Sequence, residues 1–133
     1  MDWDYDTVRA SYNRCLEFGG FFDAFYEAFL SKSADIPPMF AATDFERQKQ
    51  VLAESISYML IYSSDMEFTE HTLDDIAKKH SRNHRNIEPK FYSVWLDSLC
   101  ETIQKHDPEW SPELDRQWRL AMKPGIELMI AAY

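Results

Sequence analysis

Apolar residues recur three and four positions apart along most of the chain, the spacing that puts them on one face of a helix. From Asp6 to Phe18 the repeat is carried by Val8, Tyr12, Cys15 and Leu16, and Gly19-Gly20 breaks it. Phe21, Phe22, Phe25, Tyr26 and Phe29 form a second, strongly aromatic stripe, wide enough for a buried face. Ile36-Pro37-Pro38-Met39-Phe40 reads as a corner, because two prolines are excluded from a helix interior but can open a short helical turn. Thr43-Asp44-Phe45-Glu46 has the form of a capping box, with Thr43 covering a backbone N–H and Glu46 reaching back. The segment it opens carries Phe45, Gln48, Leu52, Ser55, Ile56 and Met59 on one stripe and ends near Ser63-Ser64-Asp65. A shorter helix is predicted over Glu70–Ser81, with Leu73, Ile76, Ala77 and His80 aligned, followed by the polar loop SRNHRN. Pro89 suits the start of a helix carrying Phe91, Val94, Trp95, Leu99 and Ile103. Ser111-Pro112-Glu113 caps a last helix toward Tyr133, with a kink expected at Pro124-Gly125. The pattern predicts an all-α fold of about six to seven helices.

Composition narrows this without changing it. The 133 residues suit one domain, 1–133, and 45% hydrophobic with 15% aromatic content is enough to fill a core. Only 3 glycines argue against an all-β fold, which needs more turn punctuation. A formal net charge of −9 disfavours nucleic acid and anionic membrane surfaces as partners. The acidic start MDWDYDTV has no basic region followed by an apolar run, and no apolar run approaches the roughly 18 residues of a span. A cytoplasmic protein is expected, with Cys15 and Cys100 as buried small hydrophobes.

The candidate chemistry starts at His80. It falls on the apolar stripe of its helix, so its ring nitrogens need a partner. Such a histidine is either a hydrogen-bonded core residue or a haem iron ligand. His80 and His84 also have the i, i+4 spacing of a helical zinc pair, but no further ligand motif lies nearby and Arg82 and Arg85 oppose a dication. Tyr26 on an aromatic face and Gln48 on an inward stripe both need hydrogen-bond partners if buried. Each alone reads as structural. With an inward histidine on a third helix, they describe a polar pocket in an apolar core.

The residues that carry these features resemble a family. FYEAFLSKSADIPPMF (Phe25 to Phe40), DFERQKQVLAESI (Asp44 to Ile56), LDDIAKKH (Leu73 to His80), EPKFYSVWLDSL and LDRQWRLAM are similar, in order and spacing, to the bacterial single-domain globins related to the haem domain of flavohaemoglobins. The resemblance covers nearly the whole chain. It implies a globin fold around a haem pocket, with haem b (iron protoporphyrin IX) as cofactor and His80 as the iron ligand. It makes Tyr26 and Gln48 the distal hydrogen-bonding pair, places Leu52 over the iron and packs Phe40 on the haem. Ile76, Ile87 and Trp95 would add apolar packing. The basic patch that includes Arg82 and His84 is either a solvated face or a partner for the propionates. The loop from His80 to Tyr92 is longer than usual for the family and lacks its glycine, and Met122 stands where many relatives have tyrosine.

The resemblance further implies reversible binding of O2, NO and CO, as a monomer or homodimer. O2 binding with NO detoxification is expected to need an external reductase, because these 133 residues suit a single globin domain, so NO dioxygenase activity is left open. A haem-based gas or redox sensor acting through a partner protein is the alternative. A globin-like signalling domain without haem is a third, which His80 together with Phe40 argues against.

Overall fold

The computed structural model describes residues 2–64 and 87–133. Within them the chain forms five α-helices, one short 3-10 turn and no strand. The class is all-α, as expected, with fewer helices among the described residues than the expected six to seven. The helix predicted over Glu70–Ser81 lies outside the described residues.

Helix α1 spans Tyr5–Leu16 and is capped by Asp4, whose carboxylate accepts from the Thr7 amide at 3.0 Å and its hydroxyl at 2.6 Å. It buries Val8, Ser11, Tyr12 and Cys15. Leu16, expected on that stripe, is instead 38% exposed. The helix ends there, and the chain turns at Gly19 and Gly20, whose φ values of 75° and 76° would strain any residue with a Cβ. Helix α2 (Phe21–Ser31) buries Phe21, Phe25, Tyr26 and Phe29. The double proline opens a 3-10 turn, Pro37–Phe40, as its sequence indicates.

Helix α3 (Phe45–Ser64) corrects the expected cap. Asp44, not Thr43, covers the helix start, accepting from the amides of Glu46 at 3.1 Å and Arg47 at 3.4 Å. Glu46 does not fold back but pairs with Lys49 at 2.8 Å. Aspartate caps at least as well as threonine, so a shift of one residue has no cost. Helix α4 (Lys90–His106) follows Pro89, and helix α5 (Pro112–Ala131) is capped by Ser111, which accepts from the Leu114 amide at 3.0 Å. Helix α5 runs through Pro124 without ending. At Gly125 a Cβ would come within 2.9 Å of Met59 Cγ, so glycine here permits close approach of α3 and α5.

Helix α3 lies on α5, and α2 lies on α4. Between them sits a solvent-free core that includes Trp118, Tyr12, Phe25, Ile56 and Met122. A closed polar knot ties α1 to the α4–α5 connection. The fully buried Asp107 carboxylate receives Arg14 Nε at 2.7 Å and Nη2 at 3.0 Å, together with the Ser11 hydroxyl. Trp118 Nε1 in turn donates to Ser11 Oγ at 2.9 Å. Burial alone would raise the Asp107 pKa, but the hydrogen bonds from Arg14 and Ser11 outweigh it and hold the carboxyl below its ordinary range. Cys15 and Cys100 are buried and unpaired, as expected, and burial pushes both thiols up to about 12. No described helix is long and apolar enough to cross a membrane.

Candidate haem pocket

Helices α2 and α3, the 3-10 turn, the start of α4 and the end of α5 enclose a cavity of about 750 Å³. Tyr26 reaches its wall from α2, and Phe40 from the turn. Gln48 and Leu52 stand one helical turn apart on α3, which puts both on the same face. Ile87 precedes α4 and Trp95 lies on it. All six residues come from four separate stretches of chain and border the same space. Ile76, His80, Arg82 and His84 lie outside the described residues.

Local packing fixes the aromatic members. The Tyr26 ring, 6% exposed, meets Phe25, Phe45 and Phe40 edge-on with centroids 5.0, 5.4 and 5.9 Å away. Such contacts hold the ring in place at the cavity wall. Burial pushes that hydroxyl up to about 12, with the Gln48 amide beside it opposing the rise. At neutral pH Tyr26 is therefore a protonated hydrogen-bond donor, and Gln48 is its neighbour. Trp95 packs edge-on against Phe25 at 5.9 Å, which links the α4 side of the cavity to α2.

Several wall residues were not singled out by sequence as site residues: Met59, Phe91, Tyr92, Ile126, Met129 and, at the rim beside Thr43 and Asp44, Arg47. Helical spacing carried a signal for some of them, since Met59 extends the Gln48–Leu52–Ser55 stripe. Tyr92 is the most informative. Its hydroxyl is buried without a hydrogen-bond partner among the described residues, and burial pushes it up to about 12. Buried polar atoms of this kind are uncommon; of the three among the described residues, with Ser63 Oγ and Trp110 Nε1, only the Tyr92 hydroxyl belongs to a residue that lines the cavity.

Residues 23–126 match the globin family model, well over half of the chain, and the chain belongs to the globin family. Among solved structures it is similar to protein PA3967 from Pseudomonas aeruginosa PAO1, a bacterial single-domain globin described as structurally highly homologous to a human hemoglobin. The two are 35% identical over 97% of each chain, with a TM-score of 0.93. No curated protein matches.

Globins generally bind haem, and the residues present fit one. The cavity volume lies within the roughly 300–1,000 Å³ of small-molecule and cofactor sites, and the wall combines an aromatic and aliphatic lining with a few polar groups, as such sites do. Tyr26, Gln48 and Tyr92 all line this space, and the Tyr92 hydroxyl is buried with no partner among the described residues.

Proposed function

We propose that this globin holds haem b in the cavity and reversibly binds diatomic gases, O2, NO and CO, there. The observation that carries the reading is the convergence of Tyr26, Phe40, Gln48, Leu52, Ile87 and Trp95 on one wall. In this reading His80 is the iron ligand, and Ile76 joins Phe40, Leu52, Ile87 and Trp95 in packing the porphyrin. Arg82 and His84 face the propionates. When bound, the haem supplies a ferrous iron with a coordination position for the gas.

The chain's own residues set the affinity. Tyr26 keeps its proton at neutral pH, because burial has pushed its hydroxyl up to about 12, and donates it toward a ligand that carries partial negative charge. Gln48 orients the phenol and offers a second donor. Leu52, buried beside them on the cavity wall, adds apolar surface that lowers the local dielectric and strengthens such hydrogen bonds. A hydrogen bond to a charged partner contributes roughly 1.5–3 kcal/mol, or about 10- to 100-fold in affinity. High O2 affinity with slow release follows. With electrons from a separate reductase, the same donors would support NO detoxification by dioxygenation.

His80→Ala tests the ligand assignment: the purified variant is expected to lose stoichiometric haem, and full haem occupancy would remove His80 from that role. The oxygenated protein, cycled with a reductase, should consume NO to nitrate in a one-to-one ratio. No consumption would remove the detoxification role and leave a haem-based sensor acting through a partner protein as the alternative use of the same pocket.

A further inference from the structure

We propose that Arg47 binds a carboxylate of the cofactor at the mouth of the cavity, an inference that rests on the haem reading above. Arg47 is the one cation among the described residues that line this space. Seven other described lysines and arginines lie within ion-pair distance of a carboxylate, from Arg14–Asp107 at 2.7 Å to Lys123–Glu127 at 3.9 Å. Arg9 has no carboxylate partner but donates to Ser57 and covers the Tyr12 ring. Lys105 also has no carboxylate partner among the described residues, but it does not line the cavity. The Arg47 guanidinium has no such partner among the described residues, in a chain with 23 acidic side chains. Its nearest acidic neighbour in sequence, Asp44, accepts from two amides at the start of α3 and so serves as the helix cap.

The chemistry of the ligand fits this vacancy. A porphyrin with two carboxylates has an apolar ring that suits the wall and anionic ends that do not. Burying an unpaired carboxylate is costly, so these groups belong at the rim, where water and a cation are within reach. Arg47 is exposed, sits at that rim and presents a planar fork that matches a carboxylate in two parallel hydrogen bonds. Asp44 borders the same rim and opposes an anion there. The two side chains therefore act with opposite sign on the same group.

The test is haem loss from the reconstituted full chain to an excess of apomyoglobin, followed by visible absorbance, with haem and with its dimethyl ester. Arg47→Ala is expected to speed loss of haem by about 3- to 10-fold, as for a partly exposed charge pair, and Arg47→Lys by less. Added salt should shrink the difference, and the dimethyl ester should abolish it. Asp44→Asn preserves the helix cap, since asparagine caps equally well, and should slow haem loss. Equal loss from Arg47→Ala and the native chain, or the same acceleration with the ester, would overturn the assignment to Arg47 while leaving the haem pocket intact. A native chain that takes up no haem overturns the pocket reading and this inference together.

Discussion

Two clusters of buried polar groups in this chain differ in how completely their hydrogen bonds are closed. Around Asp107 the set is saturated: Arg14, Ser11 and the Glu109 amide all donate to one carboxylate, and Trp118 closes the far side of Ser11. Around the cavity the set is open: Tyr26 and Gln48 have each other, and Tyr92 has no partner among the described residues. Burial costs both clusters solvation. The first recovers it fully within the protein and so holds helices together. The second recovers it in part, through the Tyr26–Gln48 pair, and leaves the Tyr92 hydroxyl without a partner among the described residues, as the proposed binding site would require.

Asp107→Ala should have the largest effect on stability. Removing one partner of a buried ion pair costs about 3–5 kcal/mol, and the partial exposure of Arg14, 24%, favours the low end, about 3 kcal/mol. The urea unfolding midpoint measures this, and O2 dissociation should stay unchanged. If Asp107→Ala altered gas release as much as it altered stability, the two clusters would not be separable. The same carboxylate predicts a pH effect. Its folded pKa is lowered, so its contribution is fully present above the unfolded value of about 3.9 and is lost as pH falls through the lower folded value. Asp107→Asn should therefore differ most from the native chain at neutral pH, and the gap should narrow in acid unfolding below about pH 4.

Tyr26→Phe reverses the expectation. It should speed O2 dissociation by about 10- to 100-fold while leaving the unfolding free energy within about 1 kcal/mol of the native value. An unchanged off-rate removes Tyr26 from the gas site. The smallest effect belongs to Tyr92→Phe in the haem-free chain. Deleting an unpartnered hydroxyl should leave stability unchanged or raise it by up to about 1 kcal/mol. A clear loss of stability would mean that Tyr92 is bonded within the protein, and the cavity would then resemble the Asp107 knot.

How much of this was legible in sequence follows the range over which each feature is encoded. Among the described residues the helix periods, the Ser111 cap and the double-proline turn are local, and the structure has them where the pattern put them except at Leu16, which is exposed. The α3 cap was misplaced by one residue because Thr43 and Asp44 are adjacent and both can cap. The pocket wall was partly legible, since stripes on separate helices converge and Tyr26 and Gln48 stood out as polar residues on apolar faces. The Asp107 knot was not legible: Arg14 and Asp107 are 93 positions apart, and nothing local marks either as the other's partner. Arg47 was missed for a related reason, because what distinguishes it is a place at the cavity without a carboxylate partner, which only packing reveals.

The central claim is that the open cluster is a haem site competent for gas. The most direct measurement is the absorption spectrum of the purified, haem-reconstituted protein, taken ferric, then ferrous, then with CO. A ferrous Soret band that shifts on CO addition, at one haem per chain, is the expected result. A protein that retains no haem, or whose ferrous spectrum does not move with CO, would contradict it.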